Sequence, residues 1–248
     1  MKKVAIIGGT GLENLNILSE SKSLKTKTPF GEPSSELQTG RYNGLEIVHL
    51  ARHGKDHNIP SSAVNFKANL SALKEAGCTH IISTTSCGSL REEICPGEFI
   101  VYDQFIDFTR DRFTTIFKES KPGEFRYTPM AYPFSDELRD NLIEAAVTLG
   151  LTVHTKGTVI TIDGPRFSTR AESKLYRMWG ADIINMTTAP EAILSNELDI
   201  PMAVIALCTD FDSWRTDIKP PSPEDIREII DQNIEKFLEL IKISLASI

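Results

Sequence analysis

The sequence predicts an α/β protein, a mixed β-sheet flanked by helices, folded as a single domain over residues 1–248. Three observations carry that expectation. Short β-branched apolar runs alternate with stretches of helical periodicity along the chain, the pattern of strands joined by helices. Hydrophobic residues make up 40% of the 248 positions, with 15 glycines besides, a composition that buries a core. No repeat, low-complexity tract or long linker divides the chain.

The elements follow in order. Residues 4–7 read as a buried strand ending in the turn Gly8-Gly9-Thr10-Gly11. A Gly-, Pro- and Ser-rich connection covers 29–40, and 45–50 is the next strand. A helix after Pro60 carries Phe66, Leu70 and Leu73 on one face and stops at Gly77. Strands are expected at 80–85 and 99–102. Residues 136–149 place Leu138, Leu142, Ala146 and Leu149 at helical spacing before Gly150. β-Prone segments at 151–162, 182–186 and 202–207 alternate with helices at 171–179 and 191–198. After the stiff Lys219-Pro220-Pro221, Ser222 is a good N-cap, with Pro223 at the first helical position and Glu224 and Asp225 in the first turn. An apolar stripe from Ile226 to Ile241 marks this last helix.

Composition excludes several classes. The formal charge of -7 is the wrong sign for gripping a nucleic-acid backbone. No apolar run approaches the ~18–20 residues of a membrane helix, and the amino-terminal apolar stretch is too short for a secretion signal. The 4 cysteines, Cys78, Cys87, Cys95 and Cys208, show no paired spacing, which points to a reducing, cytoplasmic setting. His53 and His57 have a spacing that suits a metal on a helix, but no third ligand follows, so no metal is expected.

The chemistry-bearing motifs fall at predicted strand ends, where ligands bind in α/β sheets. The Gly8–Gly11 turn is a tight turn or an anion cradle, with the Thr10 hydroxyl as an added donor. It lacks the third glycine of a dinucleotide fingerprint and the lysine of a Walker loop. Arg52-His53-Gly54 offers a guanidinium fork and a second donor for an oxyanion, or is a surface pair. Thr84-Thr85-Ser86-Cys87-Gly88-Ser89 supplies hydroxyls and backbone N–H groups. Its Cys87 is a candidate nucleophile or a small core residue. Gly164-Pro165-Arg166-Phe167 sets Phe167 as a stacking platform or a core side chain, and Met186-Thr187-Thr188 adds hydroxyls. In Thr209-Asp210-Phe211-Asp212 an extended backbone puts both carboxylates on one face. Two close carboxylates in a partly dry site raise one pKa, giving a proton donor near neutral pH; the other reading is a solvated loop or a helix cap. Together these residues suit a site holding phosphate beside a flat heterocycle.

In these motifs, with Asp103-Gln104-Phe105-Ile106-Asp107 and Trp179-Gly180-Ala181-Asp182, the sequence resembles the methylthioadenosine phosphorylase branch of the trimeric purine nucleoside phosphorylases, over almost the whole chain. The resemblance implies a nucleoside phosphorylase fold, no cofactor, inorganic phosphate as co-substrate, and a homotrimer or hexamer. By position it implies phosphate binding by Thr10, Arg52, His53, Thr85, Ser86 and Thr187, ribose contact through the Met186 backbone, and purine contact by Phe167, Asp210 and Asp212. Asp210 and Asp212 are the catalytic candidates.

The chain departs from the family in three places. Ser86 replaces an alanine, the loop at 109–117 lacks the usual Arg-Pro pair, and the 5′ pocket positions read Pro223, Ile226, Arg227 and Tyr127.

Adenine offers an amine donor and N7, so a carboxyl that accepts from the one and protonates the other favours a 6-aminopurine. The expected reaction is phosphorolysis of 5′-methylthioadenosine. The alternative is a phosphorylase of 6-oxopurine nucleosides such as methylthioinosine, inosine or guanosine. A hydrolytic nucleosidase and a nucleoside-binding regulatory protein are weaker rivals.

Overall fold

The computed structural model describes residues 2–117 and 126–248. The chain runs β1 (Lys3–Gly8), β2 (Ser19–Leu24), β3 (Leu37–Tyr42), β4 (Leu45–Ala51), α1 (Phe66–Glu75), β5 (His80–Ser89), β6 (Phe99–Ile100) and β7 (Gln104–Asp107). It continues through α2 (Asp136–Thr148), β8 (Val153–His154), β9 (Thr158–Thr161), α3 (Arg170–Met178), β10 (Ile183–Asn185), α4 (Thr188–Glu197), β11 (Met202–Phe211) and α5 (Pro223–Ala246). Among the described residues these strands form one mixed sheet in the order β2-β3-β4-β1-β5-β10-β9-β7. β11 lies parallel beside β5 and leads to β6 and β8.

β5 organises the molecule. Its first half pairs with β1, its last two residues pair antiparallel with β10, and β11 follows it along its whole length. Side chains alternate across β11. Val204, Ala206 and Cys208 join the core with α1 and α4, while Ala203, Ile205 and Leu207 join the core under α2 and α5. The apolar faces predicted for α1, α2 and α5 are buried there. Helix starts follow local chemistry. The Ser135 hydroxyl accepts from the Leu138 N–H, and Thr169–Glu172 and Ser222–Asp225 form reciprocal capping boxes. No helix among the described residues is long and apolar enough to cross a membrane.

The departures from the sequence expectations have physical causes. The segment 151–162 is two short strands, because Thr155–Gly157 leave the sheet between β8 and β9. β6 ends at Ile100, two residues early. The connection at 29–40 gives way to β3 at Leu37, and β2 is a strand with every residue exposed, held by backbone pairing at the sheet edge. Two further differences shape the cavity described next. β5 continues through Ser86-Cys87-Gly88-Ser89, and β11 runs on through Asp210 rather than turning at Leu207.

Candidate active site

The carboxyl ends of β1, β4, β5, β9, β10 and β11 surround a cavity of about 440 Å³. Every residue that the sequence reading assigned to phosphate, ribose or purine lines it: Thr10, Arg52, His53, Thr85, Ser86, Phe167, Met186, Thr187, Asp210 and Asp212.

At one end Arg52 is buried, and its fork faces protein rather than solvent. Nε and Nη2 donate to the Glu191 carboxylate at 2.5 and 3.0 Å, Nη2 also donates to Ser83 Oγ, and Nη1 donates to the Thr84 carbonyl. Glu191 is itself buried, so the pair neutralises two interior charges while fixing the guanidinium in place. This corrects the expectation of an open fork: only the Nη1 edge remains, packed against the glycine turn. A Cβ at Gly9 would lie 2.8 Å from Nη1 and 2.5 Å from the Thr84 carbonyl oxygen, so glycine is required there by the protein's own packing.

His53 also departs from expectation. Its Nδ1 lies 2.9 Å from the Ile59 carbonyl, which can only accept, so the proton sits on Nδ1. Burial, with the Arg52 charge beside it, holds the imidazole down at about 4. The ring is therefore neutral, and its Nε2 is a lone pair: His53 accepts a hydrogen bond where the sequence suggested a donor. Thr187 offers the cavity a hydroxyl that the fold itself does not use. Its side chain is buried at the start of α4, it lines the cavity, and its hydroxyl has no hydrogen-bond partner among the described residues. Buried hydroxyls are rarely left so.

At the other end a β-bulge re-aims the acids. β11 is in register with β5 up to Cys208 opposite Cys87, then Asp210 stands opposite Gly88, leaving Thr209 as the extra residue. Asp210 accepts from the Thr209 hydroxyl at 2.7 Å. Burial pushes its carboxyl up to about 6, with the Thr209 bond opposing and the Asp212 charge adding. Asp212 is also raised by burial, while the Ser168 hydroxyl, 2.6 Å from Oδ1, works against the rise. Gly88 makes the room: a Cβ there would sit 3.2 Å from Asp210 Oδ2 and 3.5 Å from Asp212 Cβ. Phe167 is 50% exposed, so its ring is a free platform rather than a core side chain.

Sequence reasoning missed Glu191, Ser83 and Ser168, which hold the predicted residues in place. Glu191 had one usable signal, a lone acid in the apolar stretch Ala189-Pro190-Glu191-Ala192. The nucleophile reading of Cys87 is withdrawn, because burial beside Cys208 drives its thiol far above the ordinary range and leaves it inert. Of the positions matched to the 5′ pocket, Ile226 lines the cavity, whereas Pro223 and Arg227 are exposed and Tyr127 is 86% exposed. Among the described residues no group of three His, Cys, Asp or Glu is placed to hold a metal ion.

Comparison with known proteins places this cavity in a family. The pattern of the Phosphorylase superfamily matches residues 3–246. An S-methyl-5′-thioadenosine phosphorylase of Xenopus tropicalis is 45% identical over 250 residues, 99% of this chain and 89% of that protein. One from Danio rerio is 43% identical over 248 residues, with the same coverage. The structure of methylthioadenosine phosphorylase from Schistosoma mansoni in complex with adenine superposes with a TM-score of 0.93 at 38% identity, covering 99% of this chain and 91% of that one. A variant of the Schistosoma mansoni adenosine/methylthioadenosine phosphorylase in complex with methylthioadenosine gives 0.92 at 39% identity, with the same coverage.

Proposed function

The chain belongs to the phosphorylase superfamily, and from that premise we propose that it catalyses reversible phosphorolysis of 5′-methylthioadenosine, yielding adenine and 5-methylthioribose 1-phosphate. The observation that carries this reading is Asp210, a desolvated carboxyl titrating at about 6, set in one cavity with the Arg52, His53 and Thr187 cluster.

The chemistry follows from those two ends. Phosphate binds against Thr10, Thr85, Ser86, Thr187 and the Nη1 edge of Arg52, with the His53 lone pair accepting the O–H of hydrogen phosphate. Adenine stacks on Phe167, and the ribose hydroxyls meet the Met186 backbone. As the C1′–N9 bond loosens, positive charge grows on the sugar and negative charge on the purine. The phosphate beneath C1′ stabilises the first, then forms the new C1′–O bond. Asp210 answers the second by giving its proton to N7, so adenine departs neutral. Asp212, held by Ser168, completes the polar edge facing the base. The reaction so written calls for no cofactor or metal, since phosphate is the nucleophile and Asp210 the acid.

Adenine is favoured over a 6-oxopurine because the Asp210–Asp212 pair supplies carboxyl oxygens that accept from the amine as well as the Asp210 proton for N7. Ile226 gives the cavity an apolar contact suited to a methylthio group, and the exposed Arg227 does not intrude. A homotrimer belongs to the same reading, as the resemblance implies. A cytoplasmic setting is supported by the cysteines, all of them free.

The test is purine release from methylthioadenosine, adenosine, methylthioinosine and inosine, each with and without phosphate. Phosphate-dependent adenine release, fastest from methylthioadenosine, is the expected result. Hypoxanthine release as the dominant activity overturns the base assignment, and phosphate-independent release overturns phosphorolysis.

A further inference from the structure

Arg112 belongs to the 109–117 loop, one of the three places where the chain departs from the family pattern, and it does not line the cavity. Its side chain is nonetheless only 6% exposed. Nη1 donates to the Met186 carbonyl, Nη2 donates to the Asp163 carbonyl at 2.7 Å, and Nε lies 3.6 Å from Asp163 Oδ1. The guanidinium sits over the Phe66 ring, 5.1 Å from its centre. Burying a cation this deeply is costly unless its donors are satisfied, so the two carbonyls it binds are significant.

Those carbonyls lie just past the ends of β10 and β9. The ladder between these strands closes at Asn185 and Thr161, with a last bond from the Ile162 N–H to the Asn185 carbonyl. Beyond that point the chains separate to form two cavity walls, one carrying Met186 and Thr187, the other Pro165 and Phe167. Arg112 spans the gap where the ladder stops. A planar guanidinium presents parallel N–H groups at a fixed separation, so it sets the distance between the two carbonyls. The walls are also in close register: the Ser61 hydroxyl donates to the Asp163 carbonyl, and a Cβ on Gly164 would come 2.3 Å from Met186 Sδ.

We infer that Arg112 is a positioning residue for nucleoside binding, tying the Met186 wall to the Asp163–Phe167 wall from behind the cavity. The inference rests on the proposed nucleoside site, where Met186 meets ribose and Phe167 meets the base. Of the phosphate cluster only Thr187 shares the Met186 wall, while Thr10, Arg52, His53, Thr85 and Ser86 lie on other elements, so Arg112 acts chiefly on the nucleoside.

The experiment compares wild type with Arg112→Lys and Arg112→Ala, each checked for a folded thermal transition. Both variants are expected to raise the KM for methylthioadenosine about tenfold or more, since a charged hydrogen-bonded bridge is lost, with a clearly smaller rise in the KM for phosphate, of whose cluster only Thr187 shares the Met186 wall. Free guanidinium restores nucleoside affinity to Arg112→Ala but not to Arg112→Lys, whose ammonium fills the space without spanning the two carbonyls. An unchanged nucleoside KM in a folded variant, or equal movement of both KM values, overturns the positioning role. Failure of the wild type to act on methylthioadenosine contradicts the proposed function instead. Adenine affinity by calorimetry, which needs no turnover, then reads Arg112 separately, and equal affinity in wild type and variants overturns the inference.

Discussion

At the end of the cavity proposed to hold phosphate, Arg52 is matched by Glu191 at 2.5 Å, inside the protein. At the end proposed to hold the purine, Asp210 and Asp212 are matched by neutral groups, among them the hydroxyls of Thr209 and Ser168 and the Ser213 backbone. The first arrangement holds a paired charge immobile. The second leaves carboxyls underpaired, so burial raises them and one can carry a proton where an exposed aspartate would not. On the proposed function the first end binds phosphate and the second exchanges a proton, and the difference between them lies in whether the buried charge has a counter-charge.

The sharpest way to break that comparison is Asp210→Asn. Losing the acid is expected to lower kcat for adenine nucleosides by roughly 10²–10⁴, with the phosphate KM little changed. The same variant should be more stable. Asp210 titrates near 6 folded against an ordinary 3.8, so ionising it disfavours the fold by on the order of 3 kcal/mol at neutral pH. The sign follows from the raised value: the penalty is absent below about pH 4, grows as pH rises, and is complete above about 6. Thermal melts at pH 7.5 and 4 check this, with the gain in Tm present at the higher pH and lost at the lower.

The phosphate end predicts the reverse. Glu191→Gln leaves Arg52 buried without its counter-charge and is expected to cost roughly 3–5 kcal/mol of stability, although Glu191 does not line the cavity. Arg52→Ala should destabilise to a similar extent, and both should raise the phosphate KM. Equilibrium denaturation with phosphate kinetics distinguishes this from a purely local binding role. A smaller effect is expected from Thr187→Val. Its hydroxyl lacks a partner among the described residues, so stability should hold or rise slightly, while the phosphate KM rises about three- to tenfold. A loss of stability with no change in KM would show that the hydroxyl serves the fold.

Much of this was legible in the chain because it is local. The glycine turn after β1, the N-cap at Ser222, and the apolar stripes of α1, α2 and α5 depend on neighbours a few residues away. The residues around the cavity were legible as donors and acids at strand ends. Their state was not. The proton on His53 is decided by the Ile59 carbonyl, the fork of Arg52 by Glu191 far along the chain, and the reach of Asp210 by a bulge at Thr209 that no local pattern announces. β2 was invisible for another reason: its exposed Ser19–Leu24 residues show no alternation, and only edge pairing makes it a strand.

The most direct measurement is the pH dependence of kcat/KM for methylthioadenosine at saturating phosphate, in wild type and Asp210→Asn. The account predicts a wild-type rate that falls as pH rises through about 6, as the Asp210 proton is lost, and a residual variant rate without that limb. A wild-type rate flat across this range, or the same limb in Asp210→Asn, would contradict Asp210 as the acid.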